Sequence, residues 1–570
     1  MTTMVADGLR PGMRDFGARL LAAATASHAR AVIFLLAMSL VCFLPGFANI
    51  APIDRDEARF AQATKQMIES GDYVDIRFQE EVRYKKPVGI YWLQAAAVRA
   101  GETLGVPHAH TTIWLYRIPS LIGALAAVLL TYWTALAFVS RHSACLAALM
   151  LAASLMLGIE ARLAKTDAVL LATVVAAMGV MAREYMARDA AGAPGWRMPA
   201  VFWSALAAGV LIKGPLIVMV VGFVAVTLAI ADRTAGWMWR LRPIAGLAWL
   251  LLLVLPWFIA IVGRAGDAFF ASSVGGDLMS KLSGGSEGHG APPLYYLVLF
   301  WLTFWPAAPL AALATPAVWH HRREPPVRFL LAWLVPAWIV FEIVPTKLPH
   351  YVLPLYPAIA ILIAWAIERE ALSPKRWIAR IIVHWPIIAA VLPILAIVAV
   401  IALRRQLGFL AWPIAAGAMI FGFFAWRLFD EDGPARSLLR AAVASQLVSI
   451  AVFGAILPLL HPFFPAAALA DAITPRCEQP RYATAGYHEP SVVFLFGTAT
   501  VLTDGSGAAD FLGEGPCRFA FIEGRQERSF VRRAEAIGLR YAPGPRIDGF
   551  NYNEGGRAMT IAVYRSEARP

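Results

Sequence analysis

Apolar runs of the length that a bilayer demands recur along most of this chain. A helix rises about 1.5 Å per residue, so about 20 apolar residues cover a hydrocarbon core of about 30 Å. Such runs lie near 31–49, 115–139, 143–159, 166–182, 199–213, 215–231, 243–263, 294–319, 327–346, 350–367, 378–403, 409–426 and 438–460. Of all residues, 59% are hydrophobic and 15% charged, against about 25% charged in an average soluble protein. A water-soluble globule, a disordered chain and a collagen-like chain are therefore excluded. Pro256, Pro306, Pro354 and Pro357 fall within the runs, where only helix neighbours or a lined cavity satisfy the freed backbone. The expectation is a packed polytopic bundle of about thirteen transmembrane helices.

The formal charge of +12 invites a nucleic-acid reading, which sorting the charges by position removes. With a cytoplasmic N-terminus, the loops expected inside carry clusters such as Arg183, Arg188, Arg197 and Arg322, Arg323, Arg328. Lys and Arg concentrate on the inner side of membrane proteins. The short loops on the other side carry fewer, Arg404 and Arg405 being the exception to the trend. An odd number of spans then places the tail after Leu460 outside. No AxA cleavage site follows the first apolar run, so that run is expected to remain as an uncleaved span.

Two domains follow from this layout. Residues 1–460 form the transmembrane domain, with a folded outer loop at 47–112 and a second outer loop at 264–293, and residues 461–570 form a small α/β domain. In that tail, SVVFLF (491–496), CRFAFIEG (517–524) and MTIAVYR (559–565) read as buried strands, and RSFVRRAEAIG (528–538) reads as a helix. The four cysteines show no CxxC spacing, which argues against zinc-finger and redox-motif classes. Cys477 and Cys517 share the outer domain, where a disulfide is expected, whereas Cys42 and Cys145 lie in spans and are expected to pack.

The loop at 47–112 is too long for a connector and too apolar to be disordered. Within it, DEARFAQATKQMIESGD places Phe60, Ala63, Met67 and Ile68 on one helical face and Asp56 and Glu57 in the first turn, and Gly71 ends it. A second helix is expected over PVGIYWLQAAAVRAG (87–101). Both are expected to lie along the membrane surface, joined by a basic knot at Arg83, Lys85 and Lys86.

Ionisable residues at span boundaries point to function. Asp54, Arg55, Asp56, Glu57, Arg59, Lys85 and Lys86 share the outer side with Glu160, Arg162, Lys165, Asp167, Lys213, Lys347 and His350. They can surround one cavity, cationic enough for an anion and with carboxylates for proton transfer or for a cationic group. A solute or lipid transporter would spread such residues through the membrane midplane, yet the helix centres hold almost none. Glu342 and His384 are exceptions, expected to be satisfied by neighbours. Chemistry at one membrane face is favoured over transport. Trp92, Trp257, Trp301 and Trp305 read as an interfacial belt or as the lining of lipid grooves, and His289 is a solitary and weak pointer to a metal.

At this point IDRDEARFAQATKQMIESGDYVDIRFQEEVRYKKPVGIYW (53–92), ARLAKTDAVLL (161–171), GVLIKGPL (209–216) and TKLPHYVLPLYPA (346–358) form a pattern. It resembles bacterial membrane glycosyltransferases of the protein O-mannosyltransferase-like superfamily, and within it the lipid A 4-amino-4-deoxy-L-arabinose transferases. The resemblance implies a GT-C fold with thirteen transmembrane helices and a C-terminal periplasmic α/β domain. It also implies transfer of aminoarabinose from undecaprenyl phosphate to a lipid A phosphate at the outer leaflet of the inner membrane, with polymyxin resistance as the consequence. By motif, Asp56 and Asp167 take catalytic or sugar-binding roles, with Glu57 or Asp167 facing the sugar's 4-amino group. Arg59, Lys85, Lys86, Lys213, Lys347 and Tyr351 are expected around the lipid phosphate. Relatives often carry an acid where this chain has Lys85, which weakens a metal site there. No cofactor is expected to be required, a divalent cation stays open, and a monomer is expected. A related transferase acting on a protein hydroxyl, with Asp56 as a true general base, is the alternative.

Overall fold

The structure, a computed structural model, describes residues 10–189, 195–266, 269, 290–473, 477–551 and 554–567. His289 and most of the expected second loop at 264–293 lie outside the described residues.

Every expected span falls on a helix or on two or three consecutive helical segments. Among the described residues, seven helices are long and apolar enough to cross a membrane, including Ile113–Ala135, Asp167–Met186 and Pro243–Ala265, and shorter apolar helices such as His28–Phe43 and Leu216–Asp232 pack against them. The chain is a multi-pass membrane protein. Its interior is closely packed around Ile113–Ala135 and Asp167–Met186, which touch along their length. A Cβ at Gly123 would come within 2.8 Å of the Val169 backbone, so glycine is what lets these helices approach. That contact sets the height of Asp167, the first residue of its helix.

The 47–112 loop folds as expected into two helices, Asp56–Ser70 and Gly89–Thr103, bridged by a short hairpin pairing Arg77–Phe78 with Glu81–Val82. Gly71 ends the first in the left-handed conformation, φ 70°, which glycine adopts without steric cost. The helix does not lie on a surface, however. Besides Phe60, Ala63, Met67 and Ile68, its Gln62, Thr64 and Lys65 are also buried, because the C-terminal domain covers the face that sequence left to solvent. Gly89 lets the second helix pack on the backbone of Leu211, 2.8 Å from the position of a Cβ, two residues before Lys213.

The C-terminal domain is a mixed five-stranded sheet in the spatial order Val501–Thr503, Arg481–Ala485, Arg518–Glu523, Arg557–Ser566, Tyr541–Asn551. The first three strands run parallel and the last two antiparallel. Helix Glu527–Ala536 stands where RSFVRRAEAIG was read as a helix, and strands Arg518–Glu523 and Arg557–Ser566 stand where strands were read. The third expected strand is instead the helix Pro490–Phe496. A short apolar run is equally a buried helix or a buried strand by periodicity, and Pro490 in the first turn favours helix. Cys477 and Cys517 form a disulfide, and Cys42 and Cys145 are free and buried.

The four tryptophans read together behave differently. Trp92 is 38% exposed, whereas Trp305 is fully enclosed and Trp257 is packed on Phe258 and Phe269. Neither of these two is an interfacial belt residue. Glu342 accepts from the amides of Tyr296 and Leu297 at 3.1 and 3.2 Å through one oxygen, while His384 Nδ1 has no hydrogen-bond partner among the described residues and its ring packs edge-on to Trp301.

Candidate active site

A cavity of about 300 Å³ opens where the first loop meets the ends of several helices. Its walls come from the segment 53–60, from Arg83, Lys85 and Lys86, from Leu163 to Asp167, from Lys213, and from Thr346, Leu348, His350 and Tyr351. Seven lysines and arginines face four acids there, which suits the cavity to an anion. Two of the four acids are already committed elsewhere, so the balance inside is more positive than the lining suggests.

The first is Glu57. Its carboxylate accepts from Arg117 Nε and Nη2 at 2.8 and 2.9 Å, and from the amides of Ala164 and Ile53 at 2.9 Å each. Both oxygens are therefore saturated, and the pair is wholly buried. Arg117 also donates to the carbonyls of Phe47 and Ile50 at 2.9 and 2.8 Å. Glu57 is thus a clamp joining three chain segments, and its expected role facing a sugar amine is corrected. The second is Asp54, whose oxygens accept from Tyr487 Oη at 2.8 Å and the Ser491 amide at 3.1 Å, both in the C-terminal domain.

Between these two clamps stand Arg55 and Asp56, both lining the cavity. Arg55 has φ 66° and ψ −105°, a conformation that costs a non-glycine residue about 1–3 kcal/mol and persists only where its surroundings impose it. Asp56 heads the helix Asp56–Ser70. Arg59 follows one turn later on the same face, and Lys85 and Lys86 reach the cavity from the turn before Pro87.

On the opposite wall a buried cluster gathers Glu160, Lys165, Asp167, Lys213 and His350. Lys213 Nζ is ion-paired with Asp167 Oδ1, and lies 5.3 Å from the Tyr351 ring centre. Lys165 Nζ is 3.3 Å from Glu160, 3.9 Å from Asp167 and 3.5 Å from His350 Nδ1. Burial pushes the Glu160 carboxyl up to about 7, against the pull of Lys165. Burial alone would pull the Lys165 ammonium down, but the Glu160, Asp167 and Asp56 carboxylates outweigh it and hold it above its ordinary range.

The structure thus brings together Asp56, Arg59, Lys85, Lys86, Asp167, Lys213 and Tyr351 of the expected set. It does not bring Lys347. Thr346 and Leu348 line the cavity, whereas Pro345 and Lys347 line an apolar groove of about 680 Å³ on the other side with Leu297, Trp338 and Ile343. Side chains of an extended segment alternate between faces, and Lys347 donates to the carbonyls of Ala291 and Val344 at 3.0 Å each. Arg162, also expected at the outer face, is turned into the bundle, donating to Pro45 O at 2.7 Å and Ser449 Oγ at 2.6 Å. Arg55, Arg83, Glu160, Lys165 and His350 belong to the assembled site but were not singled out as site residues by motif; their signal was charge beside an apolar run.

Comparison with known proteins accords with this geometry. A family described as dolichyl-phosphate-mannose-protein mannosyltransferase matches residues 54–265. The chain is 28% identical over 350 residues to an undecaprenyl phosphate-alpha-4-amino-4-deoxy-L-arabinose arabinosyl transferase of Pseudomonas paraeruginosa. It is 26% identical over 349 residues to the protein of that name from Edwardsiella ictaluri. In both cases the match spans 59% of this chain and 59% of the relative. The crystal structure of ArnT from Cupriavidus metallidurans in the apo state superimposes with a TM-score of 0.71, covering 94% of this chain and 98% of that one at 20% identity. The same protein bound to undecaprenyl phosphate gives 0.70. The fold is therefore the GT-C fold that the sequence pattern implied, with the small sheet domain at its C-terminus.

Proposed function

We propose that this protein is a membrane glycosyltransferase that moves 4-amino-4-deoxy-L-arabinose from undecaprenyl phosphate to a lipid A phosphate, at the periplasmic face of the bacterial inner membrane, acting as a monomer. The product lipid carries less negative charge, which lowers its attraction for polymyxin and other cationic peptides. The observation that carries the reading is the cavity in which Lys213, Lys165, Arg59, Lys85 and Lys86 surround Asp56 and Asp167.

The chemistry follows from those groups. The donor bond joins sugar C1 to a phosphate that departs as an anion, so the site must stabilise charge more than supply a proton. Fixed ammonium and guanidinium groups in a water-poor cavity do this most effectively. The incoming lipid A phosphate oxygen is already ionised at neutral pH, so it attacks C1 directly while the C1–O bond to the donor phosphate breaks. Asp56 then acts by positioning the reactants or as a weak base. Asp167, held by Lys213 on one oxygen, is the acid placed to meet the sugar's cationic amine. The groove beside Lys347 offers an apolar bed for a polyprenyl chain next to the phosphate site.

A metal is not required in this reading. Oxygen and nitrogen atoms of Glu160, Asp167 and His350 lie within 4.8 Å of one another, a spacing a divalent cation can use. Lys165 Nζ, however, already lies within 3.9 Å of all three, and Lys213 binds Asp167. Two ammonium groups supply the positive charge and oppose a further dication. Chelator-treated enzyme should turn over at the untreated rate; activity lost on chelation and restored by a divalent cation would remove this part.

Mass analysis of lipid A from cells with and without the protein tests the whole. A gain of one aminopentose per modified phosphate is expected. Unchanged lipid A together with newly glycosylated protein would favour the second reading, a protein-acceptor transferase, for which the mannosyltransferase family match speaks.

A further inference from the structure

We infer that the C-terminal domain is part of the catalytic apparatus and that Asp54 is the positioning residue through which it acts. The inference rests on Asp56 being a site residue, as proposed above.

Asp54 and Asp56 are two residues apart, yet they face different bodies. The Asp54 carboxylate is buried and bonded on both oxygens by Tyr487 and Ser491. Tyr487 is itself enclosed, 1% exposed, and its carbonyl accepts from Thr484 Oγ1 at 2.7 Å at the end of a sheet strand. The latch is therefore tied directly to the domain's central sheet. On the other side of Asp56, Glu57 is fixed to Arg117 in the bundle. The strained Arg55 peptide lies between these two anchors. An unfavourable φ/ψ pair relaxes when either end is released, and relaxation here would move the Asp56 carboxylate, since it begins on the next residue. A misplacement of about 1 Å in a reacting group is enough to cost about a hundredfold in rate.

The same interface holds other contacts that do not bear on Asp56. Gln62 donates to Thr498 Oγ1 at 2.8 Å, and Lys65 to Phe494 O at 2.9 Å. Gln62 lies nearly two turns along the helix from Asp56, so it reports on docking alone.

Four variants separate the ideas. Tyr487→Phe deletes one hydroxyl without changing shape; it is expected to lower kcat by about tenfold while the donor KM stays within about twofold. Asp54→Ala is expected to lose more, and Asp54→Asn to recover part of it, because its carbonyl oxygen still accepts from Ser491. Gln62→Ala is expected to keep wild-type kcat. Hydrogen exchange in the full-length protein provides a readout independent of substrate: in Tyr487→Phe the amides of residues 53–57 should exchange about tenfold faster, with those of Gly505–Gly513 unchanged. Wild-type kcat and unchanged exchange in Tyr487→Phe would overturn the latch, as would equal losses in Tyr487→Phe and Gln62→Ala. If the wild-type protein shows no transfer at all, the proposed function fails, and the exchange experiment still decides whether the domain holds this segment.

Discussion

Arg117 grips both oxygens of Glu57, Nε to Oε1 at 2.8 Å and Nη2 to Oε2 at 2.9 Å, with the two side chains 0% and 1% exposed. Removing one partner of such a buried pair leaves an unpaired charge, at a cost of about 3–5 kcal/mol. Glu57→Ala and Arg117→Ala should therefore fail in folding, seen as a large drop in thermal midpoint in detergent. Asp56→Asn, one residue away, should keep the midpoint and lose turnover. Wild-type turnover in Asp56→Asn would remove Asp56 from the chemistry.

Lys213 and Lys347 were equivalent in sequence and are not equivalent in space. Lys213→Met should raise the donor KM by on the order of tenfold or more, since it removes a largely buried cation from the anion site. Lys347→Met should change it by less than about threefold, because that side chain bonds two carbonyls outside the cavity. Steady-state kinetics with a short-chain donor compares them; equal effects would contradict the alternation of residues 345–348.

Glu160 makes donor binding pH-dependent. Its carboxyl titrates near 7 instead of in the usual carboxylate range, because burial disfavours the charged form. Below that pH it is neutral and leaves Lys165 as a net positive charge; above it the two cancel. Donor affinity should therefore fall by on the order of tenfold as pH rises through about 7, and Glu160→Gln should bind at the low-pH affinity throughout. The donor phosphate is a diester whose charge does not change here, so binding is measured in preference to turnover. Linkage has the same sign: this group stabilises the fold below its unfolded pKa, and the contribution is lost as pH passes about 7. A flat wild-type profile would exclude the assignment.

The Cys477–Cys517 bond closes a loop with a sequence separation of 40, for which chain entropy predicts about 3–4 kcal/mol of stabilisation. Cys477→Ser should lower the stability of the C-terminal domain by about that amount, read as earlier loss of protection in strand Arg518–Glu523. Because that domain carries Tyr487, turnover should fall in the same variant at temperatures where the domain opens.

Much of the architecture was legible along the chain. Spans announce themselves because about 20 apolar residues have no other low-energy destination than a bilayer or a large core, and each expected run is helical. Charges at the ends of such runs are costly to place, so Asp56, Arg59, Lys86, Asp167 and Lys213 could be grouped before any contact was known. The helix over 56–70 was legible from its spacing and from Gly71. Its burial was not, since the covering residues Tyr487, Phe494 and Thr498 lie more than 400 positions away.

Sequence by itself thus determined that this is a polytopic membrane protein with a cationic site at one face and a small α/β domain at its end. Those features follow from hydropathy and charge, which act over a few residues at a time. It took the tertiary structure to tell that Glu57 is a clamp while Asp56 lines the cavity, that Lys347 lines a groove, and that 491–496 falls in a helix. Each of these depends on which partner, remote in sequence, occupies the space beside a side chain, and neighbouring residues with the same chemistry are told apart by nothing else.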